Sequence, residues 1–496
     1  MIADLDGLTE VGTEVAGRAR REGVGVVWRA QARCSHYVVV RDGRTESAAV
    51  QLSSGQGIHV LSPDGRTALA SRDDFRREPA IALFDRALGL AREGERLGVT
   101  PSRISPLEPT TARELAADDG EFLNVDLPSV AHRLARLERS IAGRVPGPRL
   151  RLSFRAELEA WRIMRDDGTD VLFDMPRCTV LAKATGGEDD DSRHGVTAQM
   201  FHPSPRMLDD ERTIACFLRR AEKAAQLARE LPDAPPHPAG SFPLVIDYAL
   251  AKGLAHEAFG HASEADGFRS SVLADGGRFR TGHVVGPGHV SIIDEPIAGD
   301  HAWQPFSANG LRRDRAVIVD HGRLADALSD PWSADAGGVR LTGAERAQSY
   351  ADPPLPRMTN IRIEVDDPIP AAGAFEDYGP EQVRDLLADA GVLSRHPRVV
   401  YLSGYGGGQV NTASGDFVFH CKAIWVLGRD RITFHKPAIF SGSMFGALES
   451  VREAFGPLAL DALGHCGKWG QSVPSSGGSH WFLVLDPHPA VRLGGR

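Results

Sequence analysis

The stretch LAHEAFGHASEAD at residues 254–266 holds two histidines and three carboxylates within thirteen positions. Imidazole nitrogens are common zinc ligands, and a carboxylate beside a bound metal can take a proton from water and return it to a leaving amine. His256 and His261 are therefore candidate metal ligands, and Glu257 is the candidate general base. This set of residues predicts metal-assisted hydrolysis of an amide bond.

The interval between the two histidines differs from that of the familiar zinc-protease helix. That helix reads H-E-x-x-H, whereas this sequence reads H-E-x-x-x-H. On an ideal α-helix, residues five apart are separated by roughly 140° around the axis, compared with roughly 40° for residues four apart. The two side chains can converge if the helix makes one wide π-type turn or ends there, and Gly260 would permit either. Metal binding here therefore predicts a local irregularity of the helix.

The motif alone does not complete a catalytic zinc site, which needs three protein ligands and an open position for water. By spacing, the third ligand could be Glu264, Asp266 or a side chain distant in the sequence. A purely structural interpretation is also open. In that interpretation the histidines and carboxylates pair with one another at the end of a helix.

The segment YALAKGLAHEAFGH, which carries the motif, is predicted to be helical. Asp247 is a suitable N-cap, and Leu250, Leu254 and Ala258 form an apolar stripe at helical spacing. The residues that follow are dominated by extended runs such as MTNIRIEV and SHWFLVL, which alternate with Gly-rich turns. We therefore expect a strand-rich C-terminal domain over residues 244–496.

The residues before this helix predict two smaller regions, 1–111 and 112–243. Extended runs turn at Asp-Gly pairs, as at 42–43, and amphipathic helices such as PAIALFDRALGLARE can cover the resulting small antiparallel sheets. A connector rich in Pro, Ser and Thr at 98–111 separates the two regions, and the acidic run at 187–192 is predicted to be an exposed loop tip. The predicted fold class is α+β, with an N-terminal α/β part followed by the strand-rich domain with its metal-binding helix.

Composition narrows the classes of partner. The chain has 496 residues and a formal net charge of -9, and no run of Lys and Arg could follow a phosphate backbone, so we expect no nucleic-acid partner. No stretch approaches the ~18 apolar residues of a membrane span, and the first residues lack an apolar signal region, so we expect a cytoplasmic protein.

The sequence contains no C-x-x-C pair, which favours reduced thiols over a disulfide framework. The five cysteines are Cys34, Cys178, Cys216, Cys421 and Cys466.

Four sequence blocks occur in a recognisable order in the C-terminal half. They are HEAFGHASEADG, GAERAQSYADPPLPRMTNIRIE, GGGQVNTASGDFVFHCKAIWVLG and GHCGKWGQSVP. Together they closely resemble the TldD/PmbA family of metallopeptidases. The resemblance is strong over about residues 244–475, and it is weaker in the N-terminal part.

This resemblance implies a zinc-dependent peptidase whose metal is held by His256, His261 and Cys466, with Glu257 as catalytic base. A thiolate with two imidazoles is a reasonable ligand set for Zn²⁺. After GHCGKWGQSVP, the Gly-Gln-Pro element expected of the family is replaced by SSGGSHWFLV, a change that bears on substrate specificity more than on metal binding. His465 and His480 could reach the site, but we expect them to be packing or exposed residues.

The resemblance also implies partners. The family commonly works as a pair of related chains, one with the metal motif and one without, and this chain resembles the TldD-type subunit that carries the motif. A metal-free homologous chain is the expected partner, and a homodimer is the alternative. The peptide would be held through its backbone as an added strand, in a groove to which residues 356–360 and 404–408 could contribute.

Three functions follow from these features. The first is a zinc peptidase that cleaves small or unfolded peptides. The second is a dedicated amidase or deacylase in a biosynthetic pathway that uses the same site. The third is a non-catalytic subunit that binds peptides, against which the intact Glu257 argues, because a purely structural metal site does not need a base.

Overall fold

The computed structural model of the chain describes residues 1–98, 103–187 and 194–494. The predicted connector at 98–111 lies partly outside the described residues. So does the acidic run at 187–192, of which the structure describes only the first residue.

The strands in the first 202 residues form one mainly antiparallel sheet, which has seven strands in the described part of the chain. They are β1 (Gly25–Arg41), β2 (Arg44–Leu61), β3 (Thr67–Arg72), β4 (Thr111–Glu114), β5 (Arg149–Arg165), β6 (Asp170–Gly186) and β7 (His194–His202). The order is β3-β2-β1-β5-β6-β4, and β7 also pairs with β6. Because β1 pairs with β5 from Val27 to Arg41, strands from regions 1–111 and 112–243 share this sheet. The division of the chain into three regions stays a prediction.

Six α-helices belong to this part of the described chain. They are α1 (Ile2–Asp6), α2 (Thr9–Glu22), α3 (Arg77–Arg96), α4 (Asp119–Leu123), α5 (Leu127–Arg144) and α6 (Glu211–Glu230), with short 3₁₀ turns at Pro205–Leu208 and Leu231–Asp233. The predicted apolar stripe of α3 is buried through Phe84, Leu88 and Ala91. These helices pack their apolar faces on the sheet and form one core with it.

A second, larger sheet dominates the C-terminal half and has thirteen strands among the described residues. They are β8 (Leu244–Asp247), β11 (Val290–Glu295), β12 (Ala316–Asp320), β13 (Arg323–Leu324), β16 (Asn360–Val365), β17 (Arg398–Asn411), β18 (Asp416–Gly428), β19 (Ile432–His435), β20 (Ile439–Ser443), β21 (Val451–Ala459), β22 (Gly464–Lys468), β23 (Gln471–Leu485) and β24 (Val491–Leu493). The central path is β13-β12-β11-β16-β23-β8-β17-β18-β20-β24. Two small ribbons pair β9 (Ala274–Asp275) with β10 (Arg278–Phe279) and β14 (Glu345–Arg346) with β15 (Leu355–Pro356).

The helices of this half are short. They are α7 (Tyr248–Gly253), a π-helix (Leu254–Gly260), α8 (Ala334–Gly337), α9 (Pro380–Asp389), α10 (Val392–Arg395) and α11 (Met444–Glu449), with 3₁₀ turns at His261–Ser263, Ala265–Ser270 and Phe375–Asp377. The predicted α+β class, with a strand-rich C-terminal domain that carries the motif helix, is confirmed. No helix among the described residues is long and apolar enough to cross a membrane.

The N-terminal sheet packs directly against the loops that precede β16. The rings of Phe173 and Phe306 lie 5.6 Å apart in a separate apolar cluster at this junction. Arg177 Nε donates a hydrogen bond to the carbonyl oxygen of His301 at 2.9 Å. The junction therefore combines apolar packing with buried arginines.

Candidate metal centre

The motif helix begins at Asp247, the last residue of β8. Asp247 Oδ1 accepts a hydrogen bond from the Leu250 amide at 3.0 Å, as predicted for an N-cap. Its Oδ2 accepts from Ser403 Oγ at 3.0 Å and from the Gly404 amide at 2.6 Å. Burial raises the pKa of Asp247, and these hydrogen bonds oppose that rise. One carboxylate thus joins the start of the helix to β17.

The predicted irregularity of the helix is confirmed. α7 continues into a π-helix over Leu254–Gly260, and a 3₁₀ turn begins at His261. The wider turn brings the rings of His256 and His261 to a centroid distance of 5.1 Å, nearly perpendicular to each other.

Gly260 allows this helix to approach β16 closely. A Cβ atom at Gly260 would lie 2.0 Å from Met358 Sδ and 3.1 Å from Ile361 Cδ1. Both of those side chains are fully buried. A glycine is therefore required here because the helix lies too close to these side chains to leave room for a Cβ atom.

The third member of the cluster comes from the hairpin of β22 and β23. Its two-residue turn, Trp469-Gly470, has positive φ at both positions, as type I′ turns require. Cys466 Sγ lies 3.6 Å from His261 Nε2. The candidate ligand atoms of His256, His261 and Cys466 all lie within 4.8 Å of one another.

The local electrostatics favour the metal-binding protonation states of His256 and Cys466. Burial lowers the pKa of His256 well below its usual value, and the nearby Lys252 lowers it further. Burial raises the pKa of the Cys466 thiol, but His261 and Arg357 outweigh this effect and leave it below its usual value. A neutral imidazole and a thiolate are the forms that coordinate zinc.

Two further observations fit a metal ion. His256 Nδ1 is buried and has no hydrogen-bond partner among the described residues. For His261, burial lowers the pKa, but the Glu264 carboxylate and Cys466 raise it more, to well above its usual value. The His261 imidazole is therefore stabilised in its protonated, positively charged form. A divalent cation would replace that proton on binding.

The carboxylates Glu264 and Asp266 support the cluster from outside. Glu264 Oε2 lies 3.2 Å from His261 Nδ1, which leaves Nε2 directed to Cys466. Lys468 Nζ donates to Glu264 Oε2 at 2.9 Å and to Asp266 Oδ1 at 2.7 Å. This arrangement matches the carboxylate that commonly orients a metal-binding histidine. Of the third ligands that spacing left open, the described residues bring the distant Cys466 to the two histidines.

Glu257 lies beside this cluster. Its Oε2 is 4.0 Å from His261 Nε2, and its Oε1 accepts a hydrogen bond from the Tyr405 hydroxyl at 3.1 Å. Burial raises the pKa of Tyr405, and Glu257 raises it further, so the phenol remains a donor. One carboxylate oxygen is thus held by Tyr405, and the other faces the cluster.

The cluster opens into a cleft of about 670 Å³, which β17 lines through Gly408, Gln409 and Val410. Among the described residues, β17 pairs with β8 only through Val400–Leu402, whereas its later residues pair with β18 alone. In the part of the chain that the structure describes, the second edge of this part of β17 therefore pairs with no strand.

Comparison with known proteins identifies the family of this chain. Residues 239–462 match the PmbA/TldA metallopeptidase C-terminal domain. A metalloprotease of Methanothermobacter thermautotrophicus is 31% identical over 447 residues, which cover 89% of this chain and 90% of that protein. The chain belongs to the TldD/PmbA family of metallopeptidases.

Two other TldD/PmbA relatives extend the match. The metalloprotease TldD homolog of Haemophilus influenzae is 26% identical over 451 residues, which cover 88% of this chain and 86% of that protein. A metalloprotease of Methanocaldococcus jannaschii is 29% identical over 319 residues, and that alignment spans 64% of each chain. TldE from Thermococcus kodakarensis has the same fold, with a TM-score of 0.75 at 13% identity over 98% of this chain and 100% of that one.

His480 and His465, the two other histidines of this TldD/PmbA chain that the sequence analysis considers, lie outside the cluster. His480 is buried in the second sheet, where its Nε2 accepts from the Val365 amide and its Nδ1 lies 2.8 Å from the Gly456 carbonyl oxygen. His465 precedes Cys466 and lines the cleft, with its ring 5.9 Å from that of His301.

Three residues at the centre were not identified from the sequence. Tyr405 binds Glu257, Arg357 Nε donates to Cys466 Sγ at 3.3 Å, and Lys468 binds Glu264. Arg357 and Tyr405 lie in the blocks 356–360 and 404–408, for which the sequence predicts only a contribution to the peptide groove.

Proposed function

We propose that this TldD/PmbA-family protein is a zinc-dependent peptidase that hydrolyses amide bonds of small or unfolded peptides. The observation that carries the proposal is the convergence of His256, His261 and Cys466, with one Glu257 oxygen directed to them. Two imidazoles and one thiolate suit Zn²⁺, because a three-ligand set leaves a position open for chemistry.

The three ligands would hold the ion, and Glu257 would move the proton. When bound, zinc supplies Lewis acidity that activates water and polarises a carbonyl group. Glu257 Oε2 takes the proton of the attacking water and delivers it to the nitrogen of the leaving amine. Tyr405 holds the other carboxylate oxygen, so Oε2 keeps one orientation during this transfer.

The cleft beside the site supports an extended peptide as the substrate. The unpaired edge of β17 at Gly408–Val410 offers backbone groups to which a peptide can add as a strand. Recognition through backbone hydrogen bonds imposes little selectivity for side chains. An unfolded or short peptide meets this requirement, since its own backbone is free.

A second chain completes the proposal. We propose that this chain is the catalytic, TldD-type subunit and that it pairs with a metal-free homologous chain or with a second copy of itself. The fold shared with TldE of Thermococcus kodakarensis supports a related partner. All five cysteines are free, which supports a reducing compartment, the cytoplasm.

The test is turnover by the zinc-loaded protein, with and without the partner. A reduced and denatured protein is incubated with wild type or with Glu257→Gln, and the fragments are identified by mass spectrometry. Cleavage by wild type and none by the variant, at equal zinc content, supports the proposal. Equal cleavage by both would refute it, and turnover of one small amide without peptide cleavage would favour the amidase.

A further inference from the structure

A second cavity, of about 240 Å³, lies at the junction between the N-terminal sheet and the hairpin of β22 and β23. His465 lines both this cavity and the cleft of the metal centre. The two spaces thus share His465, the residue that precedes the candidate ligand Cys466. The cavity is rich in arginine: Arg33, Arg155, Arg177 and Arg346 all line it.

Arg346 is the most deeply buried of these residues, with 1% of its surface exposed. Its Nε donates to Gln304 Oε1 at 2.8 Å. Its Nη1 donates to the carbonyl oxygens of Met358 at 2.7 Å and Pro474 at 2.6 Å. The described residues offer no hydrogen-bond partner to Nη2 and no carboxylate within 4.0 Å of the guanidinium group.

The other three arginines have carboxylate partners. Glu157 binds both Arg33 and Arg155, the latter at 2.6 Å. Arg177 Nη1 lies 2.9 Å from Glu159 Oε2 and 3.6 Å from Glu157 Oε1. Three of the four arginines therefore share two carboxylates, and Arg346 is the one that has no carboxylate partner among the described residues.

A buried cation without a counter-ion is costly, and most buried charges in proteins are paired. Arg313 shows the paired case: it is also buried, and its Nη2 lies 2.7 Å from Asp294 Oδ2. Burial lowers the pKa of Arg346 well below its usual value, and Arg313, Arg177 and Arg357 lower it further, whereas Cys466 opposes this shift without cancelling it. A carboxylate from outside the chain would supply the missing charge.

We propose, building on the peptidase function above, that this cavity is a substrate subsite that binds a carboxylate group through Arg346. The guanidinium fork matches the two oxygens of a carboxylate, and Nη2 is the nitrogen left for it. The group is either the α-carboxylate of a peptide or the side chain of an Asp or Glu residue. The enzyme would therefore act on bonds close to a carboxylate.

Binding to the zinc-loaded Glu257→Gln protein tests this subsite without turnover. Calorimetry compares a short peptide with its C-terminal amide, and a peptide that contains one Glu with its Gln counterpart. We expect one acid of these pairs to bind about tenfold or more tightly than its neutral partner, the effect of a hydrogen bond to a charged group. The pair that shows the preference identifies which carboxylate is recognised.

Arg346→Lys tests whether Arg346 causes the preference for the acid, and Arg313→Lys is the control at another buried arginine. The preference should fall several-fold in the first variant and persist in the second. If Arg346→Lys does not fold, as judged by circular dichroism, the half-exposed Arg155→Gln takes its place, with a smaller expected loss.

Equal affinity for both acids and their neutral partners would overturn the subsite, as would a preference that Arg346→Lys leaves unchanged. These results are distinct from failure of the peptidase function. A protein that prefers the acid but hydrolyses no peptide keeps the subsite and loses the proposed activity. A protein that hydrolyses acids and amides equally well keeps the activity and loses the subsite.

Discussion

The Tyr405 hydroxyl donates a hydrogen bond to Glu257 Oε1 at 3.1 Å, although the two residues are 148 positions apart in the chain. The bond links the motif helix to β17, the strand that also lines the cleft. Gly253 makes it possible, because a Cβ atom there would lie 2.6 Å from Tyr405 Cε2. The orientation of the candidate base therefore depends on the strand that would bind the peptide.

Tyr405→Phe should retain the metal and lower kcat about tenfold, because loss of a residue that orients a catalytic group typically costs 10- to 100-fold. Steady-state kinetics and zinc analysis measure the two effects. Tyr37→Phe on the N-terminal sheet is the control and should leave kcat unchanged. Wild-type kcat in Tyr405→Phe would mean that Glu257 is oriented without this bond.

Alanine substitution at His256, His261 or Cys466 should each remove the bound zinc, because two remaining ligands hold the ion weakly. Elemental analysis of the purified variants measures the metal content. Cys216→Ala, on α6 and outside the cluster, should retain the wild-type amount. If Cys466→Ala also retains it, the thiolate is not a ligand.

Glu257→Gln should keep its zinc and lose about 10²- to 10⁴-fold in kcat, the usual contribution of a general base. The amide can still accept the hydrogen bond from Tyr405, so the site should keep its shape. Steady-state kinetics of wild type and variant at equal zinc content measure this loss in kcat. A loss of metal in this variant would instead assign Glu257 a role in coordination.

Gly260→Ala should weaken zinc binding and destabilise the fold by about 1–3 kcal/mol, because the new methyl group overlaps Met358. Denaturant unfolding and metal titration report the two losses. The double variant Gly260→Ala, Met358→Ala should recover part of the metal affinity, since it frees the occupied space. Gly89→Ala, on α3 with no atom near the added methyl group, should not be destabilising.

Glu345→Gln should stabilise the protein at pH 8 and have little such effect near pH 4.5. Burial raises the pKa of Glu345 to about 7, so between about pH 4.5 and 7 the folded chain keeps a proton that the unfolded chain releases. Stability of the wild type therefore falls as the pH rises through this window, by about 3 kcal/mol in total.

The glutamine variant lacks this titration, so its advantage should grow between the two pH values. Urea unfolding at both pH values measures it. Glu10→Gln, at an exposed position of α2, is the control and should show no comparable change. A constant difference for Glu345→Gln would mean that this carboxyl group does not titrate on folding.

Local sequence rules predicted the motif helix well. The five-residue interval required an irregular turn, Gly260 indicated where it could occur, and Asp247 marked the start of the helix. These features depend on neighbours within one or two turns. The spacing could not select Cys466, which came only from the family resemblance, because its approach depends on a hairpin 205 residues away.

Long-range pairing explains what the sequence did not reveal. Tyr405 contacts Glu257 from the point on β17 where its register with β18 becomes irregular, between Tyr405 and Gly408, and no local pattern in the sequence indicates this contact. β1 and β5 pair in one sheet although more than a hundred residues separate them, and no local pattern in the sequence indicates this pairing. Nothing in the sequence around Arg346 indicates that this residue has no carboxylate partner among the described residues.

The distance in sequence between His261 and Cys466 has a consequence for folding. An ion held by both residues would close a loop of 205 residues, which contains most strands of the second sheet. The entropy lost on closing a flexible loop increases with its length, so a link of this span restricts the unfolded chain strongly. Removal of the ion would then lower the free energy of unfolding of the C-terminal domain as well as abolish the chemistry.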